Sequence, residues 1–316
     1  MPENMTNIRT TITGAGGFLG SHIARYLGSK GHEVCVVGRF ASLSEASAIP
    51  NLWKLCGMTL PDRRFDEAVD EFKPTLLVHC AGTASVVESV NAPYTDFHRT
   101  VEVCAYVLET LRKFSPGCHF IFLSSAAVYG NPQMLPVREN TPLVPISPYG
   151  YHKMICELLV EEYSALHGIP SAIFRIFSAY GEGLERQVVH DLFSKFYDPH
   201  TDVVEIFGTG IETRDFIHAD DIARLVEIIA EKQATGIFNV ASGYETTIGD
   251  LAKMIAIITG STKKLFFNGV RRQGDPEKWQ ADISRLTDIG FSPAVSMQEG
   301  LEAYARWYCS LHKSFK

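Results

Sequence analysis

Short apolar runs alternate along this chain with longer segments of helical periodicity. Ile8 to Thr13, Val34 to Val37 and Thr75 to Cys80 read as buried strands, with one helix over Ser21 to Ser29 and another over Asp66 to Phe72. The alternation resumes with a long helix around Tyr94 to Phe114, the strand "HFIFLSS", a helix from about Tyr149 to His167, and the strand "SAIFRIF". Short apolar runs set between helices are what a parallel sheet covered on both faces requires. The fold class expected is therefore α/β, a doubly wound, Rossmann-like parallel sheet.

After Ser178 the texture changes. A strand around Val203 to Phe207, a helix over Asp220 to Glu231, the strand "GIFNV", a helix from Ile248 and a C-terminal helix follow in a mixed order. The last helix opens on a capping box, Ser296 with Glu299, which satisfies otherwise unpaired amides. The expected organisation is a dinucleotide-binding domain over 1–177, with 216–240 returning to it, and a smaller substrate lobe from 178–215 and 241–316.

At 316 residues and 46% hydrophobic content the chain can bury a large core. Its net charge of −7, with 29 Lys and Arg scattered rather than clustered, leaves no electrostatic footprint for a phosphate backbone, so nucleic acid is not expected as a partner. No run approaches a membrane span and the N-terminus has no apolar segment fit for a signal peptide, which points to a cytoplasmic protein without a membrane partner. The seven cysteines form no CxxC pair and mostly sit in apolar strand or helix patterns. Buried free thiols are expected, and no metal site.

Candidate chemistry begins at "TITGAGGFLGSHIA", where Gly14, Gly17 and Gly20 stand three apart between the first strand and the first helix. Glycines there permit a tight turn, close approach of backbone to a pyrophosphate, and close helix–strand packing. Phe18 and Leu19 belong to the same turn, and Ala81 follows a later strand at the same sheet edge. The second strand ends "VVGRF", with Gly38 and Arg39 where NAD-binding folds usually carry a carboxylate for the ribose hydroxyls. A guanidinium without that acid favours a 2′-phosphate, so NAD(P) is expected, with NADP favoured over NAD; a solvated Arg39 is the alternative.

The second candidate lies in "SPYGYHKMICELL", where Tyr149 and Lys153 are four apart at a helix start and so share one face. A phenol is a poor base near neutrality; an adjacent ammonium and a cationic nicotinamide both favour the phenolate. Tyr149 could then exchange a proton with a sugar hydroxyl. Ser124 and Ser125 end a sheet strand in "FLSSAAVYG", at the edge where ligands bind, and a serine there can bridge the reacting oxygen.

With TGxxGxxG, SSxxxYG, SPYxxxK and "FGTGIETRDFIHADDIA" in order, the chain resembles the extended short-chain dehydrogenase/reductases of the nucleotide-sugar epimerase/dehydratase family, over nearly its whole length. The resemblance implies a C-terminal nucleotide-sugar lobe and a homodimer built on the helices beginning near Tyr94 and Tyr149. It implies Tyr149 as acid/base, Lys153 as its ribose and charge partner, and Ser125 as hydroxyl companion, with Ser124 beside the cofactor. It implies Arg214 and Arg272 as clamps on the diphosphate, Asp275 as brace, and Trp279 near the sugar. The family's dehydratases carry an Asp–Glu pair directly after the hydroxyl residue; Ala126 and Ala127 stand here. Ser178 in "RIFSAYG" and Thr100 in "FHRTVEV" each replace an asparagine. The expected activity is an NAD(P)-dependent 4-epimerase of a UDP-hexose or UDP-N-acetylhexosamine. Alternatives are a nucleotide-sugar 4,6- or 5,6-dehydratase, a 4-keto-sugar reductase, and a non-catalytic cofactor-sensing regulator.

Overall fold

The computed structural model describes residues 8–40, 48–270 and 277–312, and begins with β1 (Arg9–Thr13), α1 (Phe18–Ser29), β2 (Glu33–Gly38), β3 (Leu52–Gly57), α2 (Arg63–Phe72) and β4 (Leu76–His79). Helical segments α3 (Val86–Asn91), α4 (Pro93–Phe97) and α5 (Val103–Phe114) lead to β5 (His119–Ser125), α6 (Pro148–His167) and β6 (Ser171–Ile176). The rest holds β7 (Ser178–Tyr180), α7 (Gln187–Tyr197), β8 (Val203–Ile206), β9 (Thr213–His218), α8 (Ala219–Lys232), β10 (Gly236–Val240), β11 (Glu245–Thr247), α9 (Ile248–Thr259), β12 (Lys264–Phe267), α10 (Ser284–Asp288) and α11 (Met297–Leu311).

Seven strands pair in parallel in the order β10-β6-β5-β4-β1-β2-β3. The order reverses between β1 and β4, so Thr13, paired with His79 on one side and Val37 on the other, stands at the switch point where a crevice opens. On one face Ile23, Leu27, Ile222, Val226 and Ile229 of α1 and α8 join Ile12, Val36 and Phe174 of the sheet in one core. On the other, Phe65 and Val69 of α2, Val107 and Leu111 of α5, and Val160 of α6 pack on Leu77, Phe120 and Phe122. The returning strand β10 pairs with β6 from Gly236↔Ala172 to Val240↔Ile176.

A second core, around Phe193, Tyr304, Leu251, Phe216 and Ile206, is built by α7, α9, α11 and two small sheets, β11-β9-β7 and β12-β8. Ser296 and Glu299 cap α11 reciprocally, as the sequence predicts. Leu286 and Phe291, within the stretch expected in the lobe, pack instead into the core of the main sheet. The long helix expected over Tyr94 to Phe114 is present, running without interruption from Pro93 to Phe114, and it holds a π-turn over His98–Glu102 between α4 and α5. No helix among the described residues is long and apolar enough to cross a membrane.

Candidate active site

The turn from β1 into α1 is shaped by what glycine lacks. Gly14 adopts φ +70°, and a Cβ on it would stand 2.7 Å from the Ala81 amide nitrogen; one on Gly20 would meet the Gly14 carbonyl oxygen at 2.4 Å. Gly16, which the triplet reading passes over, is the tightest, since its Cβ would lie 1.9 Å from the Arg39 carbonyl oxygen. Gly17 caps α1 without any side-chain acceptor, so the first amides of the helix stay available to an anion. A backbone cradle that no side chain can enter, facing an uncapped helix, fits a dinucleotide pyrophosphate.

One cavity of about 1160 Å³ runs from this cradle across the ends of the strands. Gly14, Gly17, Phe18, Leu19, Gly20, Arg39, Ala81, Ser124, Ser125, Tyr149, Lys153, Ser178, Arg214 and Trp279 all line it. Residues separated by up to 265 positions thus meet at one crevice. Arg272 and Asp275 lie outside the described residues.

The part of the cavity wall that carries Tyr149 and Lys153 is held by α6. Ser147 caps that helix through Gly150 N–H at 3.2 Å, Pro148 occupies its first turn, and Tyr149 follows at once. Lys153, one turn on and 6% exposed, donates from Nζ to the Leu123 carbonyl at 2.8 Å. The same nitrogen lies 4.9 Å from the Phe122 ring centroid and 5.9 Å from that of Tyr149. Ser125 ends β5 and accepts from Ala127 N–H at 3.2 Å, which leaves its hydroxyl proton for another acceptor. Ser124, which also lines the cavity, donates its hydroxyl to Glu157 Oε1 at 2.5 Å, beside a buried pair in which Arg175 Nη2 meets Glu157 Oε2 at 2.7 Å. Burial and the nearby Lys153 ammonium hold His79 down to about 3, so the imidazole beside Thr13 Oγ1, at 2.7 Å, is neutral.

At the far end Arg214 lies on β9, its guanidinium 5.8 Å from the Trp279 ring and bonded through Nη1 to the Thr213 carbonyl at 2.8 Å. Trp279 does both things open to it: the indole lines the cavity and also packs edge-on against Phe177 at 5.6 Å, with Nε1–H directed at the Gly130 carbonyl at 3.4 Å. Sequence reasoning missed Met58, Thr59 and Leu60 after β3, the loop residues Thr83 and Ser85, and Gln187, all of which line the cavity. Of these Gln187 stands at φ +66°, which no local sequence signal announces.

The family model for the NAD dependent epimerase/dehydratase family matches residues 10–241. A UDP-glucose 4-epimerase of Rhizobium meliloti is 27% identical over 333 aligned residues, covering 96% of this chain and 98% of that protein. The UDP-N-acetylglucosamine 4-epimerase of Methanobrevibacter ruminantium, solved with UDP-N-acetylmuramic acid, superposes with a TM-score of 0.89 at 26% identity, covering 97% of this chain and 100% of that one. The UDP-glucuronic acid 4-epimerase of Bacillus cereus, solved with UDP-glucuronic acid and NAD, gives 0.86 at 25% identity over 96% and 100% of the two chains. With the glycine cradle, the Tyr149–Lys153 face and the shared crevice in place, the chain belongs to the NAD dependent epimerase/dehydratase family.

Proposed function

We propose that this protein is an NAD(P)-dependent nucleotide-sugar 4-epimerase that acts on a UDP-hexose or its N-acetyl form. The observation that carries the reading is the convergence of Tyr149, Lys153 and Ser125 on the cavity that the glycine cradle opens, with Ala126 and Ala127 where a dehydratase needs an acid. Similarity to 4-epimerases of three different UDP-sugars supports the reaction and leaves the hexose to this chain's own side chains.

A nicotinamide dinucleotide, which the turn of Gly14, Gly16, Gly17 and Gly20 would hold, would supply reversible two-electron acceptance for the sugar. Tyr149 removes the C4 hydroxyl proton and returns it to the same oxygen, so the reaction is balanced without an outside acid. Lys153, anchored on Leu123, is held with its side-chain nitrogen 5.9 Å from the centre of the Tyr149 ring. Ser125 donates its free hydroxyl proton to the reacting oxygen. Methyl groups at Ala126 and Ala127 cannot protonate a leaving C6 hydroxyl. Arg214, with Arg272 and its brace Asp275, is assigned to the diphosphate, and Ser178 and Trp279 to the sugar side; 178–215 and 241–316 supply that side.

The experiment is incubation with candidate UDP-hexoses in heavy water, followed by NMR and mass analysis of the sugar. Inversion at C4 with no deuterium on carbon is expected. Deuterium at C5, or loss of the C6 oxygen, would replace this reading with a dehydratase.

Two further parts of the reading concern assembly and address. The helices α4 and α6 leave Tyr94, Tyr151, Leu158 and Leu166 exposed, an apolar face suited to a homodimer, which light scattering tests. Seven free thiols suit a reducing, cytoplasmic address.

A further inference from the structure

A second buried carboxylate makes a side-chain hydrogen bond to the reacting helix and has no part in the chemistry described so far. His152 falls between Tyr149 and Lys153 on α6, and its Nδ1 bonds to Asp96 Oδ2 of α4. The side chains are 12% and 2% exposed. The other carboxylate oxygen, Asp96 Oδ1, accepts from the hydroxyl of Thr83. Thr83 in turn meets Thr100 twice, through Oγ1 to Oγ1 at 3.3 Å and through its own N–H to Thr100 Oγ1 at 3.4 Å.

The π-turn explains how Thr100 reaches this place. The wider turn over His98–Glu102 brings Thr100 inward, to 1% exposure, and its Oγ1 would stand 3.5 Å from a Cβ on Gly82. The asparagine expected at this position gives way to a shorter hydroxyl that fits against Thr83. A third tie runs nearby, where the buried Ser89 hydroxyl oxygen accepts from Tyr149 N–H at 3.1 Å. The loop Ala81–Ser85 lines the cavity throughout, so these bonds connect a wall of the cofactor crevice to the helix start.

We propose that the Asp96–His152 pair is a positioning device for the reaction, which through Thr83 fixes the loop Ala81–Ser85 in register with the helix that carries Tyr149 and Lys153. The inference rests on the reading of those two residues as the reacting pair. A buried carboxylate is stable only while its donors are present, so Asp96 holds both the imidazole and the Thr83 hydroxyl in single orientations. Movement of the helix start is thereby transmitted to the loop, and a small displacement of a reacting group is costly in rate.

The test compares His152→Leu, Asp96→Asn and Thr83→Val with His152→Asn, which keeps an N–H donor near the position of Nδ1. In turnover of a UDP-hexose, the first three are expected to lose roughly tenfold or more in kcat with KM changed by less than about twofold, and His152→Asn to recover most of the loss. Affinity for reduced cofactor, read by nicotinamide fluorescence without any turnover, is expected to fall by roughly threefold or more in Thr83→Val and His152→Leu but not in His152→Asn. Unchanged kcat and cofactor affinity in Thr83→Val, or equal losses in His152→Leu and His152→Asn, would overturn the proposal. Should His152→Leu fail to fold, Thr83→Val and His152→Asn carry the comparison alone. Tyr149→Phe in the same assay keeps the two readings apart: an active Tyr149→Phe protein removes the assigned reacting pair, whereas the fluorescence series still decides what Asp96 and His152 do.

Discussion

The Lys153 ammonium donates to the Leu123 carbonyl, so the strand that ends in Ser125 and the helix that begins beside Tyr149 are joined at 2.8 Å. The bond sets the lysine as a fixed charge rather than a mobile one. On the proposed reading of Tyr149 as acid/base, Lys153→Met is expected to lower kcat by roughly a hundredfold or more while the protein stays folded. Tyr149→Phe is expected to abolish conversion. Circular dichroism beside the turnover assay checks that both effects are chemical.

Cofactor binding follows from the cradle. Gly16→Val would drive side-chain carbon into the Arg39 carbonyl, whose oxygen already lies 1.9 Å from the position of a bare Cβ. Titration should show that this variant binds neither NAD nor NADP. Arg39→Ala is expected to weaken NADP by roughly tenfold and leave NAD unchanged, since a charge-assisted bond to phosphate is worth about 1.5–3 kcal/mol. Equal NADP affinity in that variant would place Arg39 in solvent.

Substrate recognition is testable separately from cofactor binding. Arg214→Ala and Arg272→Ala should each raise the dissociation constant for UDP by about tenfold to a hundredfold and leave cofactor affinity alone. Trp279→Ser should raise turnover of UDP-N-acetylhexosamine relative to the unsubstituted sugar. The reason is that the indole, fixed on Phe177 and the Gly130 carbonyl, occupies cavity wall. A ratio unmoved by the substitution would assign Trp279 to packing.

Stability should fall in acid through two carboxylates, Asp220 and Glu182, that lie beside His22 and His218. The bond from His22 holds Asp220 below its ordinary 3.8, and the imidazole of His218, 3.3 Å away, holds Glu182 below its ordinary 4.5. His22 links three segments here, with Nδ1 at 2.6 Å from Asp220 Oδ1 and Nε2 at 2.7 Å from the Glu182 carbonyl. Because both folded values are lowered, the unfolded chain binds more protons in this range. The contribution is complete above the unfolded values and is lost as pH falls through the lowered folded ones. Denaturant midpoints measured from pH 6 down to about 3 should therefore decline, and Asp220→Asn should flatten part of that decline.

Local periodicity determined most of the scaffold. The apolar runs at Ile12, Val36, Val78 and Phe120 and the glycines at the first turn specify strands, helices and a phosphate cradle because each depends on neighbours within a few residues. The four-residue step from Tyr149 to Lys153 was legible for the same reason, and so was the capping box at Ser296. The edge strand β3 carries mixed polarity, with Trp53 and Lys54 outward, and so lacks the apolar signature of the central strands. What only the tertiary structure decided is which distant groups meet. The place of Ser124 at the end of its strand is legible, whereas the bond from its hydroxyl to Glu157, which Arg175 holds in turn, is not. Asp96 and His152 lie 56 residues apart, and a π-turn that hydrophobic spacing does not encode brings Thr100 to the same cluster. Pairing of buried polar groups depends on the space left when helices dock on the sheet, and that space is a property of the assembled core rather than of any local stretch of chain.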